Sequence, residues 1–288
     1  MTTPARHAAA EEIARGHDEN FPVAFLLAPG DVRADMRAIY AYCRVTDDKG
    51  DAGDAAPAER LIALDAWERD LAAALEGPAD DPVLVAVADV IRRRHLDTEL
   101  FTRLIEANRM DQRESRWQRH DDLLDYCAYS ATPVGRMVLG VLGITDPDRV
   151  ALSDATCAGL QLVNFWQDIR RDLEERGRVY LPREDMDLLG VTVDDLRADA
   201  ASPALRELIR WEVGRARALL TRGAPLRGMV PRRVRLDIGM FTAGGLWVCD
   251  SIARQGYDTI ASRPAPGARG RARMGAGVAW RMLPGSRP

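Results

Sequence analysis

The sequence predicts an all-α protein. Three observations carry that expectation. Apolar residues recur at steps of three and four over most of the chain, the period of a helix with one buried face. Proline and glycine fall between those periodic stretches, at Pro22, Pro29-Gly30, Gly77-Pro78, Pro82, Pro133, Gly177, Pro182, Pro203 and Pro225, where they end or restart helices. No stretch alternates apolar and polar residues at a period of two long enough to read as a strand.

Taken in order, the spacing predicts helices over roughly 32–50, 57–76, 82–95, 98–112, 119–128, 133–143, 148–173, 203–222 and 231–260. Pro133 is expected to break or kink its segment, because proline lacks an N–H and crowds the preceding turn. Connections are short, so the chain reads as one helical domain over residues 1–262, followed by an Arg-, Gly- and Pro-rich basic tail over 263–288.

At 288 residues, with 47% hydrophobic and 29% charged residues, the composition is that of an ordinary globular protein with a substantial core. The net charge of −4 argues against a general nucleic-acid binder. Cys43, Cys127, Cys157 and Cys249 form no C-x-x-C pair, so neither a disulfide framework nor a zinc site is indicated. No signal peptide or membrane-spanning stretch is recognisable, and a cytoplasmic location is the default. A basic segment at 226–236, with Arg227, Arg232, Arg233 and Arg235, and the basic tail are read first as solvated surface. Contact with anionic lipid is the sharper alternative.

Chemistry is suggested by two acidic stripes. The first places Tyr40, Arg44, Asp47, Asp48 and Asp51 at helical steps. The second places Gln161, Asn164, Asp168 and Asp172 at steps of three, four and four. On a helix such residues line one face. Carboxylates four apart repel, so the pattern calls for a cation, and magnesium suits it. That ion is commonly held by one or two carboxylates together with substrate phosphates. A solvated acidic helix end, with Arg44 pairing Asp48, explains the first stripe equally. The second lies among Leu160, Leu162, Val163, Phe165, Trp166 and Ile169, where buried polar groups need partners. The following R-R-D-L-E-E-R-G-R-V-Y-L-P adds Arg176, Arg178 and Tyr180, arginine being well shaped for phosphate. Two further segments stand out. Y-C-A-Y-S-A-T-P-V-G-R-M, with Tyr126, Tyr129 and Gly135, supplies small residues that would thin a helix wall beside a large ligand or let helices pack closely. G-H-D-E-N-F-P-V-A supplies His17, Asn20 and Phe21.

These four elements in this order resemble the squalene/phytoene synthase family, over residues from about 16 to about 260. The phrases E-N-F-P-V-A, S-A-T-P-V-G-R-M-V-L, L-Q-L-V-N-F-W-Q-D and R-V-Y-L-P are most similar to its bacterial hydroxysqualene-forming branch. The resemblance implies a single isoprenoid-synthase helical domain around a central cavity, with two aspartate motifs at its mouth. It implies Asp47, Asp48, Asp51, Asp168 and Asp172 as magnesium ligands, and Arg44 beside them. His17, Asn20, Tyr40, Gln161, Asn164 and Arg178 are implied at or near the diphosphate. Phe21, Tyr126, Tyr129 and Gly135 are implied along the cavity. Magnesium is the expected cofactor and NADPH is not expected. The implied partners are a prenyl diphosphate, other enzymes of a hopanoid pathway by functional coupling and, at the periphery, a membrane; nucleic acid is not among them. The implied reaction is presqualene diphosphate plus water giving hydroxysqualene and diphosphate. Condensation of farnesyl diphosphate, as in presqualene diphosphate, squalene or phytoene synthesis, is the alternative, and a non-catalytic relative a further one. The sequence departs from the family at Lys49, which replaces an apolar residue between acidic positions. It departs again in the spacing before Arg178, which sets Arg176 and Arg178 in competition for one role, and at Ala128, which shifts a tyrosine to Tyr129.

Overall fold

A computed structural model describes residues 29–51, 53, 55–114 and 116–264. His17, Asn20, Phe21 and residues 265–288 of the basic tail lie outside the described residues. Among the described residues the regular elements are helical, with one isolated bridge between Arg116 and Val179. The α-helices are α1 Gly30–Gly50, α2 Pro57–Glu76, α3 Pro82–Arg94, α4 Glu99–Arg113, α5 His120–Ser130, α6 Thr132–Val141, α7 Pro147–Gln167, α8 Ile169–Arg176, α9 Arg183–Leu189, α10 Pro203–Gly223, α11 Leu226–Met229 and α12 Arg235–Arg254. Short 3-10 turns cover Asp195–Arg197 and Arg232–Val234.

Several of the breaks expected from proline are helix starts. Pro57, Pro82 and Pro203 each stand first in a helix, where a missing N–H costs nothing. Asp81 caps α3 by accepting from the N–H groups of Val83 at 2.8 Å and Leu84 at 3.1 Å, and Ser202 caps α10 by accepting from Leu205. Both satisfy donors that a helix start leaves open. Pro133 falls in the first turn of α6, and the interruption lies at Ala131. The helix expected over 148–173 is two helices that part at Asp168. The segment 183–189, not among the expected helices, forms α9. The helix expected over 231–260 begins with a 3-10 turn and ends at Arg254.

The chain sorts into two compact units, Met1–Glu114 with Tyr129–Val150, and Ser115–Ala128 with Ala151–Pro288. In the first, α1 packs on α2, α3, α4 and α6. Its buried residues Val32, Met36, Ile39, Tyr42, Thr46 and Gly50 recur at three and four, which turns the intervening positions outward. Tyr42 stacks with Trp67 at 5.8 Å and meets Phe101 edge-on at 5.2 Å. Its hydroxyl donates to the carbonyl of Phe101 at 3.0 Å, so this buried hydroxyl is satisfied. Asp35, 1% exposed, accepts from both Arg93 and Arg94 and fastens α1 to α3. A buried carboxylate requires such pairing.

In the second unit, α10 packs on α9 and α12. Close approach replaces bulk there. A Cβ on Gly223 would sit 2.0 Å from Thr156 Oγ1 and 2.7 Å from the carbonyl of Leu152, so the end of α10 can lie against α7 only as glycine. Arg215 donates to Asp185 at 2.5 Å and to the fully buried Glu212 at 2.6 Å, which ties α9 to α10. No helix among the described residues is long and apolar enough to cross a membrane.

Candidate active site

The first acidic stripe occupies the last turns of α1. Arg44 donates to Asp48 at 2.5 Å, the pairing that the spacing allowed. Asp47 accepts from the Asn108 amide at 3.2 Å. Asp47, Asp48 and Asp51 are exposed, while Tyr40 and Arg44 are half-buried. Carboxylates at a helix C-terminus oppose the macrodipole, and α4 answers that. Gln112 donates to the carbonyl of Gly50 at 3.0 Å, and Asn108 lies against the same glycine. A Cβ on Gly50 would stand 1.9 Å from Asn108 Oδ1, so glycine here admits the side chain that orients Asp47. Lys49 neither swings toward the acidic face nor simply reaches into water. Its ammonium lies over the Trp67 ring, 4.7 Å from the centroid, a cation–π contact. Asp48 and Lys49, with Val45, Ala55, Glu59, Arg60 and Ala63, line an open pocket of about 290 Å³.

The second stripe spans the break between α7 and α8. Its buried neighbours Leu162, Val163, Phe165 and Trp166 fix the rotation of α7, leaving Gln161 and Asn164 half-buried. Neither amide has a hydrogen-bond partner among the described residues. Asp168 leaves the helical conformation, with φ −113° and ψ 16°. Its N–H still reaches the Asn164 carbonyl at 3.0 Å and also that of Phe165 at 3.2 Å. Two contacts converge at the break. Arg263 pairs with both oxygens of Asp168, by Nε to Oδ1 and by Nη2 to Oδ2 at 3.0 Å. The Gln167 amide donates to the carbonyl of Pro264.

Asp172 follows one turn into α8 and accepts from Arg176 at 3.2 Å. Burial, and then the charge of Asp168, push its carboxyl up to about 7, against the pull of Arg176, Arg178 and Arg171. Loss of hydration outweighs the cations because the group is almost enclosed. Gly177, at φ 68°, ends α8 in a left-handed turn, a conformation that glycine adopts without strain. The next N–H, of Arg178, returns to the Asp172 carbonyl at 3.1 Å. Arg176 and Arg178 therefore both serve the region of Asp172, the first by a direct ion pair and the second as a buried neighbour.

Aromatic rings lie beside the second stripe. Phe165 stacks on Tyr180 with centroids 3.8 Å apart and planes 10° apart. Tyr126 lies 6.1 Å from Phe165 and 6.0 Å from Tyr180, with Trp117 at 4.7 Å beyond it. The bridge of Arg116 to Val179, and the Arg183 N–H bond to the Trp117 carbonyl at 2.9 Å, hold the strand-like segment that carries Arg178 and Tyr180. Phe165, Ile169, Asp172, Arg178, Val179, Tyr180 and Leu181 enclose a pocket with about 10 Å³ of free space, roughly the room one water needs. Trp166, the other aromatic candidate, is fully buried.

The structure thus gathers Asp47, Asp48, Asp51 and Arg44 at the end of α1, and Gln161, Asn164, Asp168, Asp172 and Arg178 around the α7–α8 break. Tyr126 is buried with Phe165 and Tyr180 in the second unit. Tyr129 belongs to the first unit, half-buried, with the Arg103 guanidinium 5.6 Å from its ring centroid. Gly135 is buried on α6. Sequence reasoning missed Asn108, Gln112 and Arg263. The i,i+4 pair of amides on α4, next to buried Leu104 and Ile105, is the local signal for the first two. For Arg263, ninety-five residues from Asp168, the local sequence holds none.

These residues fit magnesium in one specific way. Among the described residues no three His, Cys, Asp or Glu side chains come together to hold a metal alone. Each stripe instead offers carboxylate oxygens, and burial together with the neighbouring charge of Asp168 disfavours the ionised form of Asp172. An ion bound by one or two carboxylates, with its remaining oxygens from a phosphate, is the habit of magnesium.

A family model described as squalene/phytoene synthase matches residues 14–274. Hydroxysqualene synthase of Sinorhizobium fredii (strain NBRC 101917 / NGR234) is 34% identical over 224 residues, 77% of this chain and 75% of that protein. Phytoene synthase of Arthrospira platensis is 32% identical over 282 residues, 91% of this chain and 90% of the relative. The crystal structure of squalene synthase HpnC from Alicyclobacillus acidocaldarius superposes with a TM-score of 0.81 at 43% identity, covering 88% of this chain and 95% of that one.

Proposed function

The chain belongs to the squalene/phytoene synthase family, a family of isoprenoid synthases, and we propose that it converts presqualene diphosphate and water to hydroxysqualene and diphosphate. The observation that carries this reading is the pair of acidic stripes, both complete, in a chain similar to hydroxysqualene synthases along most of its length. The reaction breaks the carbon–oxygen bond to diphosphate, and the resulting carbocation takes the oxygen of water and releases a proton. Oxidation states balance without a reductant, so no NADPH is required.

When bound, magnesium neutralises the charge that builds on the departing diphosphate, a Lewis-acid role. In this proposal Asp168 and Asp172 would hold magnesium at one stripe, and Asp47, Asp48 and Asp51 would hold it at the other. Gln161 and Asn164, whose amides lack partners among the described residues, orient polar oxygens of the ligand beside them. Arg178, buried next to Asp172, adds fixed positive charge in a place of low hydration, where such charge acts strongly. Arg44 does the same at the first stripe on leaving Asp48. The faces of Phe165, Tyr180 and Tyr126 offer electron density to a carbocation and few nucleophiles that would quench it early. The release of diphosphate by carbon–oxygen cleavage places the activity among carbon–oxygen lyases.

A second reading is favoured by the coverage of 91% of this chain by the phytoene synthase relative. On that reading the same residues act on two prenyl diphosphates in a condensation. The two are separated by supplying the purified protein and magnesium, without NADPH, with presqualene diphosphate in one reaction and farnesyl diphosphate in another, and identifying products by mass spectrometry. Hydroxysqualene from the first alone is the expected result. Presqualene diphosphate or a C30 hydrocarbon from the second moves the protein to the condensing branch. No product from either excludes both C30 assignments, and geranylgeranyl diphosphate then tests the phytoene reaction directly.

A further inference from the structure

The stretch from Val213 to Leu236 holds seven arginines and neither aspartate nor glutamate, in a chain whose net charge is −4. Three of the seven are engaged. Arg215 pairs with Asp185 and Glu212, Arg217 with Asp250, and Arg235 donates to the carbonyls of Val230 and Gly228. The side chains of Arg222, Arg227, Arg232 and Arg233 make no hydrogen bond or ion pair among the described residues. Other surface arginines of the same unit are paired locally, as in Arg170–Glu174, Arg171–Glu175 and Arg210–Glu207, and those without an ion pair among the described residues, such as Arg116 and Arg254, are scattered along the chain. Positive charge without a counter-ion is therefore concentrated where α10 turns through α11 into α12.

The turn has two sides. Leu226, Val230 and Val234, four residues apart, are at most 3% exposed and anchor it to the core. Gly228, Met229, Pro231, Arg232 and Arg233 between them are exposed. Met229 is 45% exposed, one of four large hydrophobic residues so placed among the described residues. Arg235 closes the turn from within, its guanidinium donating to two carbonyls that hold the exposed side in shape.

We propose that this corner, from Arg222 to Arg233, is a docking surface for an anionic lipid bilayer. Guanidinium groups match headgroup phosphates, each basic residue near an anionic leaflet contributes on the order of a tenfold or smaller gain in binding, and Met229 enters the boundary of the acyl chains. Nucleic acid is the weaker occupant. No aromatic residue lies between Val213 and Leu236 on which a base would stack, and an exposed methionine at the centre of a phosphate-binding surface has a use in lipid and none in a duplex. The inference is independent of the reaction, because it concerns residues outside both stripes and needs no substrate.

Sedimentation of the full chain with sucrose-loaded vesicles tests it, with phosphatidylglycerol in phosphatidylcholine compared with phosphatidylcholine alone, at low and physiological salt. The protein is expected to sediment with anionic vesicles only, and less at higher salt. Arg232→Gln with Arg233→Gln lowers the partition coefficient by at least about tenfold, and Met229→Gln lowers it by roughly fourfold or more. Arg197→Gln, at an exposed position on another turn, leaves it unchanged. None of these positions supports the core, so the thermal melt is expected to stay that of the parent. Equal binding to neutral vesicles overturns the proposal. So does a double variant that sediments like the parent, which moves any binding to the basic tail. Binding to heparin that matches vesicle binding, with no effect of Met229→Gln on either, overturns the lipid assignment in favour of a general polyanion surface.

Discussion

The two acidic stripes look alike in sequence and are held by opposite means. At the end of α1 the carboxylates are exposed, with Arg44 donating to Asp48 and Asn108 to Asp47. At the α7–α8 break, Asp172 is nearly enclosed and its carboxyl is pushed up to about 7, while Arg263 grips both oxygens of Asp168. Water screens the first set of charges, and the protein must manage the second itself. Aspartates at helical spacing in both stripes thus acquire different electrostatic stress according to what surrounds them. The more stressed pair has the more to gain from a bound cation.

The largest expected effect breaks or upholds that contrast directly. Asp172→Asn and Asp168→Asn lower turnover by at least about a hundredfold, with the helical circular dichroism signal unchanged. Asp48→Asn, exposed and paired with Arg44, costs less in the same assay. Equal losses at Asp48 and Asp172 would show that burial does not distinguish the stripes. Next comes Asn108→Ala, which releases Asp47 from the amide that donates to it. It raises the magnesium concentration for half-maximal activity by about tenfold, the usual consequence of removing a group that orients a ligand. An unchanged magnesium titration removes Asn108 from the site.

A smaller effect belongs to Arg263→Gln. The pair is more than a third exposed on the arginine side, so solvent discounts it. The metal-free midpoint of thermal unfolding falls by roughly 2 °C, and magnesium restores more stability to the variant than to the parent. If magnesium shifts both melts equally, Arg263 is not the counter-ion of the metal-free stripe. The smallest effect concerns Asp258, the opposite of Asp172 within the same unit. Burial alone would raise its carboxyl, but the N–H groups of Ala261 and Ala201 and the Arg206 guanidinium hold it below its ordinary value. A lowered folded pKa gives stability that is present above the unfolded value, near pH 4, and lost as pH falls through the folded one. The difference in melting temperature between the parent and Asp258→Asn is therefore widest at neutral pH and closes below about pH 4. A gap that persists in acid would assign the contribution of Asp258 to packing.

Much of this was legible in the sequence. The helical period located α1 to α7, α10 and most of α12 because each has one apolar face, and local alternation is what burial on one side demands. The stripes were legible for the same reason, since the positions that the core does not claim fall in line. Arg44–Asp48 followed from a separation of four. The resemblance of four ordered motifs to the squalene/phytoene synthases was borne out by the family match over residues 14–274. Other features were not legible. The break at Asp168 has neither proline nor glycine to mark it, and it coincides with contacts to Arg263 and Pro264 that only the folded chain brings there. Lys49 was visible in the sequence only as a departure from the family, and its place over the ring of Trp67, on another helix, was not. The short α9 has too few residues to show a period, and it is fixed by Arg215 reaching Asp185 from α10.

By itself, then, the sequence determined which residues are buried, where helices begin and which carboxylates share a face, because those depend on neighbours three or four positions away. Only the tertiary structure decided which carboxylate carries a raised pKa, which arginine answers it, why Gly50 and Gly223 must be glycine, and which basic residues are left without a counter-ion. Each of those depends on dehydration and on partners tens of residues distant, and neither is encoded in any local pattern.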